Sequence, residues 1–95
     1  MDLTVDGPVW HWRGPSPHHF VTVGAEQAAA LEAVSGAVSY GWGMILVTAT
    51  LGSTTWRTAL WPKNGSYLVP LRDSVRRAEQ VDVGDVVTVQ LAIAV

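Results

Sequence analysis

Arg72, Arg76 and Arg77 form the densest basic cluster in the chain, within "YLVPLRDSVRRAEQVDVGDVV", Tyr67–Val87. Guanidinium groups present a rigid fork of donors, so such a cluster can grip phosphates. The competing reading is the solvated side of a helix. Asp73 precedes Arg77 by four residues and Glu79 follows Arg76 by three, the separations at which helix-surface charges meet. At about 100° per residue, Arg72 and Arg76 fall near each other and Arg77 lies further round, so the three do not make one stripe. The formal charge of −2 adds no long-range attraction for a phosphate backbone. Nucleic-acid binding through these arginines is therefore the alternative, and the helix face the first reading.

His11, His18 and His19 raise the question of a metal. Adjacent residues on a strand point to opposite faces, so only one of His18 and His19 can join His11. No carboxylate stands near in sequence to support a ligating imidazole. No metal site is expected. Ser53, Thr54 and Ser66 are the hydroxyls a nucleophile would come from, but all three fall at turns, where Ser and Thr serve the backbone. Asp85, after Gly84, most simply accepts from turn amides. Neither a catalytic residue nor a cofactor is expected.

Five tryptophans, Trp10, Trp12, Trp42, Trp56 and Trp61, are many for a chain this short. Large rings fill a small core, or they line a cavity for an apolar or planar ligand. Arg57 shares a strand face with Trp61, which allows cation–π stacking or capture of an anion. The ligand-site candidates are Trp42, Trp56, Arg57 and Trp61. A protein partner or a second copy of the chain is the other occupant considered.

These side chains must be carried by strands. Leu3–Trp12 alternates but is interrupted at Gly7-Pro8, where a bulge would bring Trp10 and Trp12 to the inward face with Leu3 and Val5. Phe20–Val23 is a short strand. "GAEQAAALEAVSG" predicts a helix with Ala28, Leu31 and Val34 on one stripe and Gly36 at its end. Met44–Leu51, a turn at Gly52-Ser53 and a return strand stopped by Pro62 make a hairpin, with Trp56, Thr58 and Leu60 opposite Arg57, Ala59 and Trp61. Asn64-Gly65 predicts a type I′ turn into Ser66–Val69. A helix from Leu71 to about Gln80 is expected to hide Leu71, Val75 and Ala78. Val81 and Val83 then pack, and Val87, Val89, Leu91, Ile93 and Val95 form the inward face of a last strand. The expected fold is mainly β: a small closed or nearly closed barrel of about six strands with two short helices, one domain over residues 1–95.

A hydrophobic fraction of 48% suits a packed core, while only 15% charged residues leaves a largely neutral surface or one that a partner covers. Without cysteine, disulfides and thiolate metal sites are excluded. The start, "MDLTVDGPVW", lacks the basic and apolar regions of a signal peptide, and no run reaches the roughly 20 apolar residues of a membrane span. A cytoplasmic protein without membrane association is the expectation.

The stretch Gly41–Leu91 carries a Gly-Trp-Gly entry, a Gly-x-x-x-Trp-Arg-Thr hairpin, an aromatic-Pro turn and a Leu-x-Pro–helix–Gly-Asp ending. With "FVTV" before the first helix, this combination resembles the family known as domain of unknown function 1905. The resemblance implies a small, mostly bacterial β-barrel with no established reaction. A weaker, local likeness of "VPLRDSVRRAEQVDVGDVVTV" is to AbrB-type swapped-hairpin barrels. That likeness implies a dimeric DNA binder using Arg72, Arg76 and Arg77.

Overall fold

Alternating apolar residues and Gly-containing turns produce the element order β1 (Asp2–Trp12), β2 (His18–Thr22), α1 (Ala25–Val38), β3 (Ser39–Tyr40), β4 (Met44–Leu51), β5 (Thr54–Lys63), β6 (Ser66–Leu71), α2 (Asp73–Glu79) and β7 (Val86–Ala92). The computed structural model describes residues 1–94, so the expected place of Val95 on the last strand lies outside the described residues. Every pairing is antiparallel. The order β4-β5-β6-β2-β1-β7 returns from β7 to β4, which closes six strands into a barrel. Two-residue β3 pairs with Ile45 and Met44 on the edge of β4 that Thr48–Leu51 use for β7. Closure removes the free edges that would otherwise template aggregation.

One side chain from each barrel strand shows how the core is filled. Val5, Val21, Ile45, Leu60, Val69 and Val89 are all completely inaccessible. Each such burial contributes about 1.5–3 kcal/mol. Helix α1 closes one mouth: it touches β1, β4 and β6, from different parts of the ring, and buries Ala28 and Leu31 with Val34 half-buried, the predicted stripe. It does not end at Gly36. Two more residues stay helical because Ser39, extended at φ −80°, leads straight into β3 and no left-handed turn is needed.

Prolines occupy positions where the ladder has no use for their missing N–H. Antiparallel pairs alternate between those that exchange N–H···O bonds and those that do not. The Val9 N–H donates to the Asp85 carbonyl (2.9 Å), so Pro8 opposite Val86 is a non-exchanging position. Its nitrogen faces β2, whose pairing with β1 starts one residue later at Val9 and Val21. The strand therefore passes Gly7-Pro8 without the expected bulge. Val5, Gly7 and Val9 keep the same parity, and Trp10 and Trp12 point outward instead of inward. Pro62 likewise fails to stop β5. It pairs opposite Tyr67, and β4 has already ended its pairing at Ile45 and Leu60. The turn beyond it has φ 52° at Asn64 and 78° at Gly65, as a type I′ turn requires.

Around α2 the chain departs from the expected helix at both ends. Leu71 is still in β6, the helix starts at Asp73, and Gln80 ends it in the left-handed region at φ 54°. In these two short turns Val75 faces the barrel, flanked by half-buried Arg76 and Glu79, and Ala78 is turned to solvent. Leu71 and Val75 are hidden as expected; Ala78 is not. Beyond α2, Val81 is half-buried but Val83 is exposed.

Candidate aromatic groove

The unbroken parity of β1 determines what the outer wall carries. Register places Trp10, Phe20 and Pro70 in one row across β1, β2 and β6, Trp12 beside His18, and Thr22, Leu68 and Trp61 in a third row reaching β5. These side chains alternate with the core residues Val9, Val21 and Val69, so they project from the outside of the barrel. Yet Phe20 is only 1% exposed and Leu68 5%. Rings cover them: Phe20 has Trp10 at 5.3 Å, His18 at 5.2 Å and Trp61 at 5.2 Å between centroids. The fold thus has a second apolar layer outside its core.

Trp42 closes this layer from the β3–β4 loop. Its neighbours Gly41 and Gly43 have φ of 57° and 92°, where a side chain would be strained. A Cβ on Gly43 would stand 3.3 Å from Pro62 Cγ, so the loop lies directly on β5. That contact holds Trp42 6.5 Å from Trp61, although Trp42 itself is 72% exposed. Between the rings is a groove of about 220 Å³, lined by the tryptophans 10, 12, 42 and 61 with Phe20, Pro62, Lys63 and Leu68. The Trp10 Nε1–H is already committed, donating to Thr22 Oγ1 at 3.0 Å. The Lys63 ammonium stands 5.9 Å from the Trp12 ring centroid. His18 stacks on Trp61 at 6.3 Å, and burial lowers its pKa from the ordinary 6.5 against the opposing pull of Asp73.

Of the four ligand-site candidates, only Trp42 and Trp61 meet. Trp56 points into the barrel and is 7% exposed, with its Nε1–H buried and without a partner among the described residues. Arg57 is exposed on the outer wall, beside Leu46 and Thr48 in a different depression. The strand's own alternation separates Trp56 from Arg57 and Trp61. Trp10, Trp12, Phe20, Lys63 and Leu68 were not among the candidates. An unbroken two-residue period through Gly7-Pro8 is the signal that would have turned both β1 tryptophans outward.

Two of the three arginines at α2 are occupied by the fold. Arg72 donates to the Arg57 carbonyl at 2.8 Å, bracing α2 to β5. Arg76, with 20% of its side chain exposed, pairs with Asp73 at 3.3 Å and approaches Asp82 at 3.9 Å. Asp73 thus takes Arg76 and not Arg77, which is left exposed. Glu79 accepts from Thr54 Oγ1 at 2.5 Å instead of pairing with Arg76.

His11 and His19 do share a face, with ring centroids 4.5 Å apart. Burial, then Arg76, His11 and His18, lower the His19 pKa from 6.5, and Asp73 opposes them. Among the described residues no cluster of three or more His, Cys, Asp or Glu could hold a metal ion. Ser66 Oγ donates to the Val23 carbonyl (2.8 Å), tying the start of β6 to the segment after β2, and Asp85 Oδ2 accepts from the Asp82 amide (2.9 Å) within the turn before β7.

A six-stranded closed antiparallel barrel with two helices and an aromatic groove on its outer wall defines the class of this protein. The family model described as domain of unknown function (DUF1905) matches residues 6–91, from within β1 to within β7. The chain belongs to the DUF1905 family. No curated protein matches it. Among the described residues no helix is long and apolar enough to cross a membrane.

Proposed function

We propose that this chain is a non-catalytic binding module whose outer-wall groove takes a small planar apolar ligand. The observation that carries the reading is the buried Phe20 under Trp10 and Trp61 on the outside of a barrel whose core is already full. A soluble fold has no packing need for a second apolar layer there, and contiguous exposed aromatic surface marks a binding site. The size agrees: about 220 Å³ exceeds the roughly 150 Å³ of a protein cavity that holds benzene. It falls below the range of about 300–1,000 Å³ for drug-sized ligands. One ring or two fused rings is the scale of the ligand.

Phosphate binding by α2 draws little support, since Arg72 and Arg76 are engaged within the fold and, of the three, only Arg77 has no such contact among the described residues. The test is a titration with 2-naphthol followed through the five indole Nε1–H resonances. Trp42, Trp61 and Trp10 are expected to shift, Trp56 to stay still, and Trp61→Ala to weaken binding at least tenfold. A shift at Trp56 alone, or none at any indole, overturns the reading.

A further inference from the structure

The lining of the groove carries a single charge, and among the described residues that charge has no ion-pair partner. Lys63 is the only ionisable side chain among its lining residues, and no carboxylate lines it. Among the described residues Lys63 makes no ion pair; the two that form both belong to Arg76. Its Nζ lies 5.9 Å from the Trp12 centroid, at the outer limit of roughly 6 Å for a cation–π contact, so the ring holds it loosely. Its backbone is well placed. Lys63 is the last residue of β5, paired with Ser66 across the Asn64-Gly65 turn and preceded by Pro62, which itself lines the groove.

Resting on the groove reading above, we infer that the ligand class is aromatic carboxylates: a flat ring system between the tryptophans, with an anionic group at the rim against the Lys63 ammonium. An apolar wall beside a lone cation discriminates in this way because the ring supplies area and the ion pair supplies orientation. The groove is open, so the carboxylate keeps part of its hydration and avoids the penalty of full burial. The net charge of −2 works against anions at long range, which leaves recognition to this one local contact.

The experiment compares 2-naphthoate with its neutral counterpart 2-naphthamide, by calorimetry and indole resonances, in the wild type and in Lys63→Met, which keeps the aliphatic stem. The carboxylate is expected to bind roughly 1.5- to fivefold tighter than the amide, the range of an exposed ion pair. That preference should vanish in Lys63→Met and shrink at high salt. Equal binding of the two probes to the wild type, or a preference that survives in Lys63→Met, overturns the anionic class while the groove reading stands. If neither probe moves Trp42 or Trp61, the groove reading fails and this inference with it.

Discussion

Trp56 and Trp61 stand on one strand with opposite parity, and parity decides their work. Trp61 lies on the outer wall, stacked with His18 and tilted against Trp42, whereas Trp56 fills the barrel beside Ala49, its cross-strand partner. The Trp56 indole N–H is enclosed without an acceptor among the described residues, which costs about 1–3 kcal/mol. Replacing it with Phe removes that donor and some volume at once, and the two effects oppose each other. Trp56→Phe is therefore expected to lie within about 1 kcal/mol of the wild type in urea unfolding, and Trp56→Ala to lose about 3–5 kcal/mol. A Phe variant as damaged as the Ala variant would mean the indole nitrogen is satisfied after all.

Helix α2 shows how a short element is held. Two turns are too few for a helix to be stable by itself, so its anchors matter more than its propensity. One is apolar, Val75 at 2% exposure. The others are polar: Arg72 to the Arg57 carbonyl, and Thr54 Oγ1 to the Glu79 carboxylate. Glu79 occupies the space above Gly52, at the β4–β5 turn, that a Cβ there would need. Thr54→Val and Glu79→Gln are each expected to cost about 1.5 kcal/mol, and the double variant little more than either alone, since both remove one charge-assisted contact. Additive losses in a double-mutant cycle would show that the two side chains act separately.

The barrel is closed by pairing residues from opposite ends of the chain, Asp2 with Ala92 through Pro8 with Val86. Titration of His18 and His19 bears on the whole closed state. Burial leads the causes that depress the pKa of both His18 and His19 below 6.5. The unfolded chain, with ordinary histidines, then binds more protons than the folded one as the solution is acidified. The contribution of these neutral imidazoles is complete above pH 6.5 and is lost as the pH falls from there through the lower folded-state values. Urea midpoints should therefore drop on the acid side of 6.5, and the His18→Gln, His19→Gln double variant should flatten that limb. An unchanged slope in the double variant would assign the acid sensitivity to other groups.

Strand identity, the Asn64-Gly65 turn, the Ala28–Leu31 stripe and the closed-barrel class were legible in the residues, because alternation and turn chemistry are local. The path of the chain through Gly7-Pro8 and Pro62 was not. A proline reads as an interruption until the neighbouring strand is known to be absent on its nitrogen side. The orientation of Trp10 and Trp12 depended on that path, and so did the groove.

By itself the sequence determined that apolar side chains would repeat every second residue and that the strands would need to shield them. Only the tertiary structure decided which rings, from β1, β2, β5 and the β3–β4 loop, gather on one wall, and that Lys63 stands beside them with no counter-ion among the described residues. Cross-strand register sets those meetings, and register is a property of paired segments that no single segment contains.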